Sequence, residues 1–267
     1  MFHKYFTVFA ASWQNEFTYR LNFILWRLRN VLRLLMTYFL WRGIFVTNQN
    51  VFGYSQSQML TYVFLVLMVQ SLVVSAPSAD NIGGEIASGD LSNYLVKPLG
   101  YLKYWFTRDL ASKMLNMLFA FFEILLLWVW LRPFVVIPQS IIVVAAFVIS
   151  LILAIGNYYL LGALARFIAF WQPENSWGLA FVVLVFLEIL GGGIFPLNLL
   201  PQTAYALIQF TPFPYLVYFP IAIFTGKIVG AEMVRILLQS LVWVGVLFLF
   251  TKYFWKKGMV VYQASGR

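Results

Sequence analysis

Hydrophobic positions gather along this chain into six long runs, at about 24–46, 59–76, 114–131, 139–168, 177–195 and 236–254. Each has roughly 18 residues or more, the length an α-helix needs to cross a bilayer core of ~30 Å. The opening stretch, MFHKYFTVFAASWQNEFTYRL, has a different pattern. Phe2, Phe6, Phe9, Trp13 and Phe17 recur at helical spacing while Lys4, Gln14, Asn15 and Arg20 can face headgroups, which predicts an amphipathic helix lying in the membrane interface. Its apolar residues are interrupted and no small-residue cleavage site follows a clean apolar core, so it does not read as a signal peptide.

Two polar or broken passages separate the runs. Between the second and third lies NIGGEIASGDLSNYLVKPLGYLK, Asn81 to Lys103. Asp80 is placed to cap a helix through Ile82 and Ile86, and Gly89 suits the left-handed position that ends it. Asp90 is placed to cap a second helix with Leu91, Tyr94 and Leu95 on its apolar side, stopped by Pro98. The pattern predicts a docking surface rooted on the next membrane helix by Lys103, Arg108 and Lys113, the other reading being an ordinary solvated loop. Between the fifth and sixth runs, an apolar segment is broken by Pro196, Pro201, Pro212, Pro214 and Pro220. Short re-entrant helices dipping into the membrane fit it better than one straight span.

Composition narrows the class. Of 267 residues, 62% are hydrophobic and 10% charged, against roughly 25% charged in soluble domains. The expected fold is an all-α membrane protein of six transmembrane helices, forming one membrane domain over residues 1–267. The net charge of +9 does not point to nucleic acid, because the cations flank the apolar runs and form no basic stripe. With both termini in the cytoplasm, thirteen cations, from Lys4 and Arg20 to Lys257 and Arg267, fall at inner ends, against Arg42, Arg132, Lys227 and Arg235 outside. Arg27 and Arg29 are then expected to snorkel to inner-leaflet phosphates.

Within the spans, Glu123 and Glu188 are the only acids, each roughly 16 Å deep at 1.5 Å per residue, and Arg33 reaches a comparable depth. Such groups should face the bundle or an aqueous cavity, either as a structural Glu to Arg pair or as a polar contact in a substrate pathway. Gly191, Gly192 and Gly193 just beyond suit close packing. No phosphate loop occurs: Gly226 and Lys227 are followed by Ile228, with Ile221 where the first glycine belongs. One histidine, His3, no cysteine, no nucleophile elbow and no acidic cluster with ligand spacing leave no metal site and no expectation of an enzyme.

These features resemble the membrane-spanning permeases of type-2 ABC exporters, in particular the multidrug-like subgroup with paired permeases. The most specific match is after the second run, where Glu85, Ile86, Gly89, Asp90, Leu91, Leu95, Lys97, Pro98 and Leu99 fit the family's E-I-x-x-G-x-L-x-x-x-L-x-K-P-L pattern, its cytoplasmic coupling helix. Gly193, Phe195, Pro196, Pro201, Pro212, Tyr215 and Gly226 resemble the family's broken outer helices, and the tail VVYQASGR also fits. The resemblance implies a permease with no cofactor of its own. ATP and Mg would be bound by separate ABC ATPase subunits docking on Glu85, Ile86, Gly89, Asp90, Leu91, Leu95, Lys97 and Pro98, and a second permease, related or identical, would complete the pathway among membrane lipids. It implies a multi-pass protein of the bacterial inner membrane exporting an amphipathic or lipophilic compound, with Glu123 and Glu188 as pathway candidates. The alternatives are a proton-coupled secondary transporter using those two carboxylates, or a non-transport scaffold.

Overall fold

The apolar runs become helices whose ends fall where caps and chain breakers stand. A computed structural model describes residues 2–16, 20–47, 50–75, 78–138, 140–175 and 177–263. The amphipathic opening forms α1 (Phe2–Glu16), which lies along α6 (Tyr101–Leu131). Phe17 and the final tail residues 264–267 lie outside the described residues, as do the side chains of Phe2, Arg20 and Asp80.

Five helical segments are long and apolar enough to cross a membrane: Gln56–Val73, Tyr101–Leu131, Ile141–Phe170, Pro173–Leu190 and Gly230–Val261. They contain α3 (Gln56–Val73), α6, α7 (Ile141–Arg166), α8 (Gly178–Leu190) and α11 (Gly230–Val261). The remaining predicted span is helical as α2 (Arg20–Ile44) but falls short in apolarity. Arg27, Arg29 and Arg33 sit in any bilayer-length stretch of it. Its length, about 37 Å at 1.5 Å per residue, is sufficient.

Local chemistry sets the joints. Ser55 accepts from the Gln58 amide while the Gln58 side chain takes the Ser55 amide, a capping box that starts α3. Before it, Asn50–Val51 and Tyr54–Ser55 form a two-residue hairpin, β1 and β2, with Phe52 and Gly53 both at positive φ. The far end of α3 is closed from outside the helix. Lys113 of α6 is fully buried and donates to the Val73 carbonyl at 2.7 Å and to that of Ser75, covering acceptors the helix leaves open.

Beyond α8 the prolines break the chain as expected. A 3₁₀ turn at Leu197–Leu199, α9 (Gln202–Ile208), a 3₁₀ turn at Phe213–Tyr215 and α10 (Tyr218–Phe224) follow in short pieces. Residues 215–223 are all buried, with α10 wedged against α7 and α3 in the largest apolar core. The broken segment here is thus enclosed by protein as a cap over α3 and α7. Gly192 makes the turn into this cap at φ +79°, and a Cβ there would meet Tyr218 Cβ at 2.8 Å and the Tyr62 hydroxyl at 2.9 Å. Close packing is therefore its role, since only glycine takes both the conformation and the contact cheaply.

A second core joins α2 to α3 near the hairpin, around Tyr38, Trp41, Phe45 and Met59. A third, at the opposite end, gathers α4 (Ser78–Ser88), the start of α6 and the close of α7.

Candidate functional site

The predicted coupling stretch is a built corner rather than a loop. Helices α6 and α11 have 31 and 32 residues, about ten more than a bilayer core of ~20 residues takes up. Their ends at the α4 side meet: Tyr101 stacks on Trp255 with ring centroids 5.4 Å apart, and Phe167 and Phe170 close round the same indole. On this aromatic base rests α4, with Ile82, Ile86 and, beyond the turn, Leu91 buried against it. Helix α4 begins two residues before the predicted Asp80 cap.

Glu85 fixes α4 to α6. Its carboxylate accepts from the Tyr101 hydroxyl at 2.7 Å and the Trp105 indole N–H at 3.0 Å. Burial, then the Glu85 carboxylate beside it, pushes the Tyr94 hydroxyl far above the usual phenol range, keeping it neutral. Gly89 ends α4 at φ +86°, the left-handed position expected of it. Tyr262, just past α11, donates to the Gly89 carbonyl at 2.5 Å and accepts from the Ser92 amide at 3.0 Å, tying the turn to the last helix.

Two expectations for this corner change. Asp90 does not cap the second helix: α5 (Ser92–Leu95) is a single turn with Leu91 at its N-cap and no side-chain cap, and Asp90 instead accepts from the Ser88 hydroxyl at 2.7 Å and the Asn93 amide at 3.3 Å. One turn is too short for a separate capped helix, so the carboxylate staples the bend. The predicted apolar docking side is also divided. Ile86 and Leu91 face the protein interior, whereas Leu95 is 46% and Val96 84% exposed, followed by exposed Lys97 and Pro98. The exposed tip is what a partner can touch.

The two carboxylates predicted within the spans, Glu123 and Glu188, are both held by α2. Arg27 grips Glu123 through two nitrogens, Nε to Oε1 at 2.6 Å and Nη2 to Oε2, while Nη1 reaches Ser71 Oγ at 3.3 Å and Asn116 Oδ1 at 3.4 Å. Arg27 is buried here and does not snorkel, because a carboxylate 96 residues on supplies its counter-charge inside the bundle. Arg33 grips Glu188 likewise, Nη1 to Oε1 at 2.9 Å and Nη2 to Oε2, with the Gly193 carbonyl at 3.4 Å. This second pair borders a cavity of about 1370 Å³ between α2, α3 and α8, whose lining includes Glu188 but not Glu123. Gln70 and Ser71 of α3 and Asn116 of α6 add polar edges, and Val66, Leu67, Phe181 and Leu184 add apolar wall. Tyr62, donating to the Gly192 carbonyl at 2.5 Å, stands at the end toward α10.

Sequence reasoning missed mainly the partners, and one group, the fully buried Asp109 of α6. Nothing in the spacing of Tyr101, Trp105 and Tyr262 marks them as contacts of the coupling turn. Lys113, expected as an interfacial root, is interior for want of any local sign that α3 ends beside it. Arg108 faces the cavity, its guanidinium 4.5 Å from the Trp105 ring centre. Among the described residues, no group of three or more His, Asp or Glu could hold a metal.

Comparison with known families finds one model, described as ABC-2 family transporter protein, matching residues 31–266. Among curated proteins none matches the chain.

Proposed function

The chain belongs to the ABC-2 transporter family, and from that premise we propose that it is the permease half of an ATP-driven exporter whose nucleotide is hydrolysed in a separate subunit. It is a membrane protein of transport, and its family's permeases work with ATPase subunits. In the proposed arrangement α2 joins the five apolar helices as a sixth span, residues 1–267 act as one domain, and both termini face the cytoplasm of a bacterial inner membrane. Helices α9 and α10 form the re-entrant outer cap. A second permease, identical or related, completes the pathway, and an amphipathic or lipophilic compound moves outward.

The observation that carries this reading is the corner at α4 and α5. A short exposed tip of Leu95, Val96, Lys97 and Pro98 is mounted on α4, which Glu85 bonds to α6. ATPase subunits holding ATP and Mg would press on that tip, and α6 would carry the displacement into the membrane. Glu85, Ile86, Gly89 and Leu91 would then serve as the mount, with Asp90, Leu95, Lys97 and Pro98 nearer the contact. Within the pathway, Glu188 is the better placed of the two carboxylates, being at the cavity wall.

The test is a double substitution, Leu95→Asp with Val96→Asp, on side chains already largely exposed. The expected result is a folded permease that no longer copurifies with its ATPase and loses ATP-dependent export. Unchanged assembly and export would remove the docking assignment. The proton-coupled alternative needs Glu123 and Glu188 as exchangeable proton sites, whereas both are gripped by arginines. Export that survives ATP depletion and stops with the proton gradient would favour it.

A further inference from the structure

At its end toward α10 the cavity wall includes Tyr62 and Gly193, and the turn Gly191, Gly192, Gly193 leads from α8 into the cap. Each carbonyl of that turn is held from a different helix. Gly191 accepts from the Tyr218 amide of α10 at 2.9 Å, Gly192 from the Tyr62 hydroxyl of α3 at 2.5 Å, and Gly193 from Arg33 of α2 at a long 3.4 Å. Three glycines offer no side chain to brace the turn, so its position depends on these bonds.

The third bond is shared with the cavity. The guanidinium that reaches Gly193 is the one that grips Glu188. Beside them stands an unused donor: Gln70 Nε2 is buried and has no hydrogen-bond partner among the described residues. A Cβ on Gly193 would run into that nitrogen, with Glu188 Oε2 at 3.2 Å and Arg33 Nη2 at 3.5 Å. Amide, carboxylate and guanidinium therefore crowd round one glycine, and a side chain at Gly193 would take the place of the amide. Leaving a buried donor unpaired lowers stability, so the amide calls for a second arrangement in which it is paired. A small shift brings it to the Glu188 carboxylate, which Arg33 occupies here.

We propose that the glycine turn is the outer gate of the pathway, latched by Tyr62 and switched by Gln70. When a guest in the cavity draws Arg33 away, Gln70 takes over the Glu188 carboxylate and the Gly193 carbonyl loses its guanidinium. The turn is then left on the Tyr62 and Tyr218 bonds, and ATP-driven motion of the bundle breaks the Tyr62 latch. Glu188 has a donor in both arrangements, so its charge is never stranded within the membrane. The proposal rests on the exporter reading for the direction in which the gate opens, and on the bonds of the turn for its place.

The chain has no cysteine, so a single introduced thiol reports on one position. Val185→Cys puts it on the cavity wall and Ala154→Cys in the closed core of α7. Labelling by a charged, membrane-impermeant maleimide is followed from the outer side of right-side-out vesicles holding the complex with its ATPase, with and without ATP. Without ATP, Tyr62→Phe should speed labelling of Val185→Cys about fivefold, the weight of one neutral hydrogen bond, and leave Ala154→Cys protected. Gln70→Leu should unfold in detergent no earlier than the parent, because it removes the unpaired amide, yet abolish the ATP-driven rise in labelling that the parent shows. An unchanged rate in Tyr62→Phe, or equal acceleration at both thiols, overturns the latch. An ATP-driven rise that survives Gln70→Leu overturns the switch, as does earlier unfolding of that variant. No effect of ATP on the parent, with Tyr62→Phe still exposing the wall, removes the exporter reading and leaves the latch standing.

Discussion

Arg27 with Glu123 and Arg33 with Glu188 are the same chemistry placed six residues apart on one helix, in surroundings that give them different work. The first pair is walled in, its side chains 7% and 16% exposed, with Ser71 and Asn116 both accepting from Arg27 Nη1. The second is 37% and 31% exposed and faces the large cavity. A buried pair holds helices in register, because removing one partner strands a charge where no water can reach it. A pair at a cavity wall is open to exchange, since a guest can take over either half. An identical count of charged residues in two membrane helices therefore says little until their accessibility is known.

The largest effect expected is on the walled-in pair. Glu123→Gln leaves Arg27 buried without its carboxylate and should cost about 3–5 kcal/mol of stability, read as earlier unfolding in detergent. Replacing both partners, Arg27→Leu with Glu123→Leu, should recover most of that loss. Wild-type stability in the single variant would erase the distinction. Next comes Glu188→Gln, which should move stability by no more than about 1 kcal/mol, as solvent-accessible pairs do, yet lower ATP-dependent export clearly. A stability loss matching that of Glu123→Gln would mean that the cavity is closed to solvent. The smallest effect is ionic. Raising salt from 0.1 M to 1 M shortens the screening length from ~10 Å to ~3 Å, so the stability gap between wild type and Glu188→Gln should narrow, while the Glu123→Gln gap stays the same.

What could be seen in the sequence follows from how local each signal is. Five of six runs meet the requirements of a spanning helix, and the proline-rich segment breaks into the expected pieces, because hydropathy and proline act on their own stretch of chain. Gly89 could be placed for the same reason: the left-handed turn it makes is decided within a few residues. The partners of the charges could not be placed. Arg27 carries every local mark of an interfacial cation, and its burial is decided by Glu123, which arrives on α6, four helices later in the chain. The same holds for Glu85, whose polar neighbourhood suggests a surface acid until α6 brings Tyr101 and Trp105 against it. The rotation of one helix against another is a property of packing, and no periodicity in a single stretch encodes it. Asp90 shows the limit from the other side: the capping residue type is present, but the chain makes too short a helix for it to cap.

The bond from Tyr262 to the turn at Gly89 has a mechanical consequence. Because α4 is fastened to α6 by Glu85 and to the end of α11 by this tyrosine, the corner is a bracket with two anchor points on different helices. Any force that shifts the bracket must either snap one fastening or haul both helices in step, so a stroke delivered at one small tip is shared between two separate columns of the bundle.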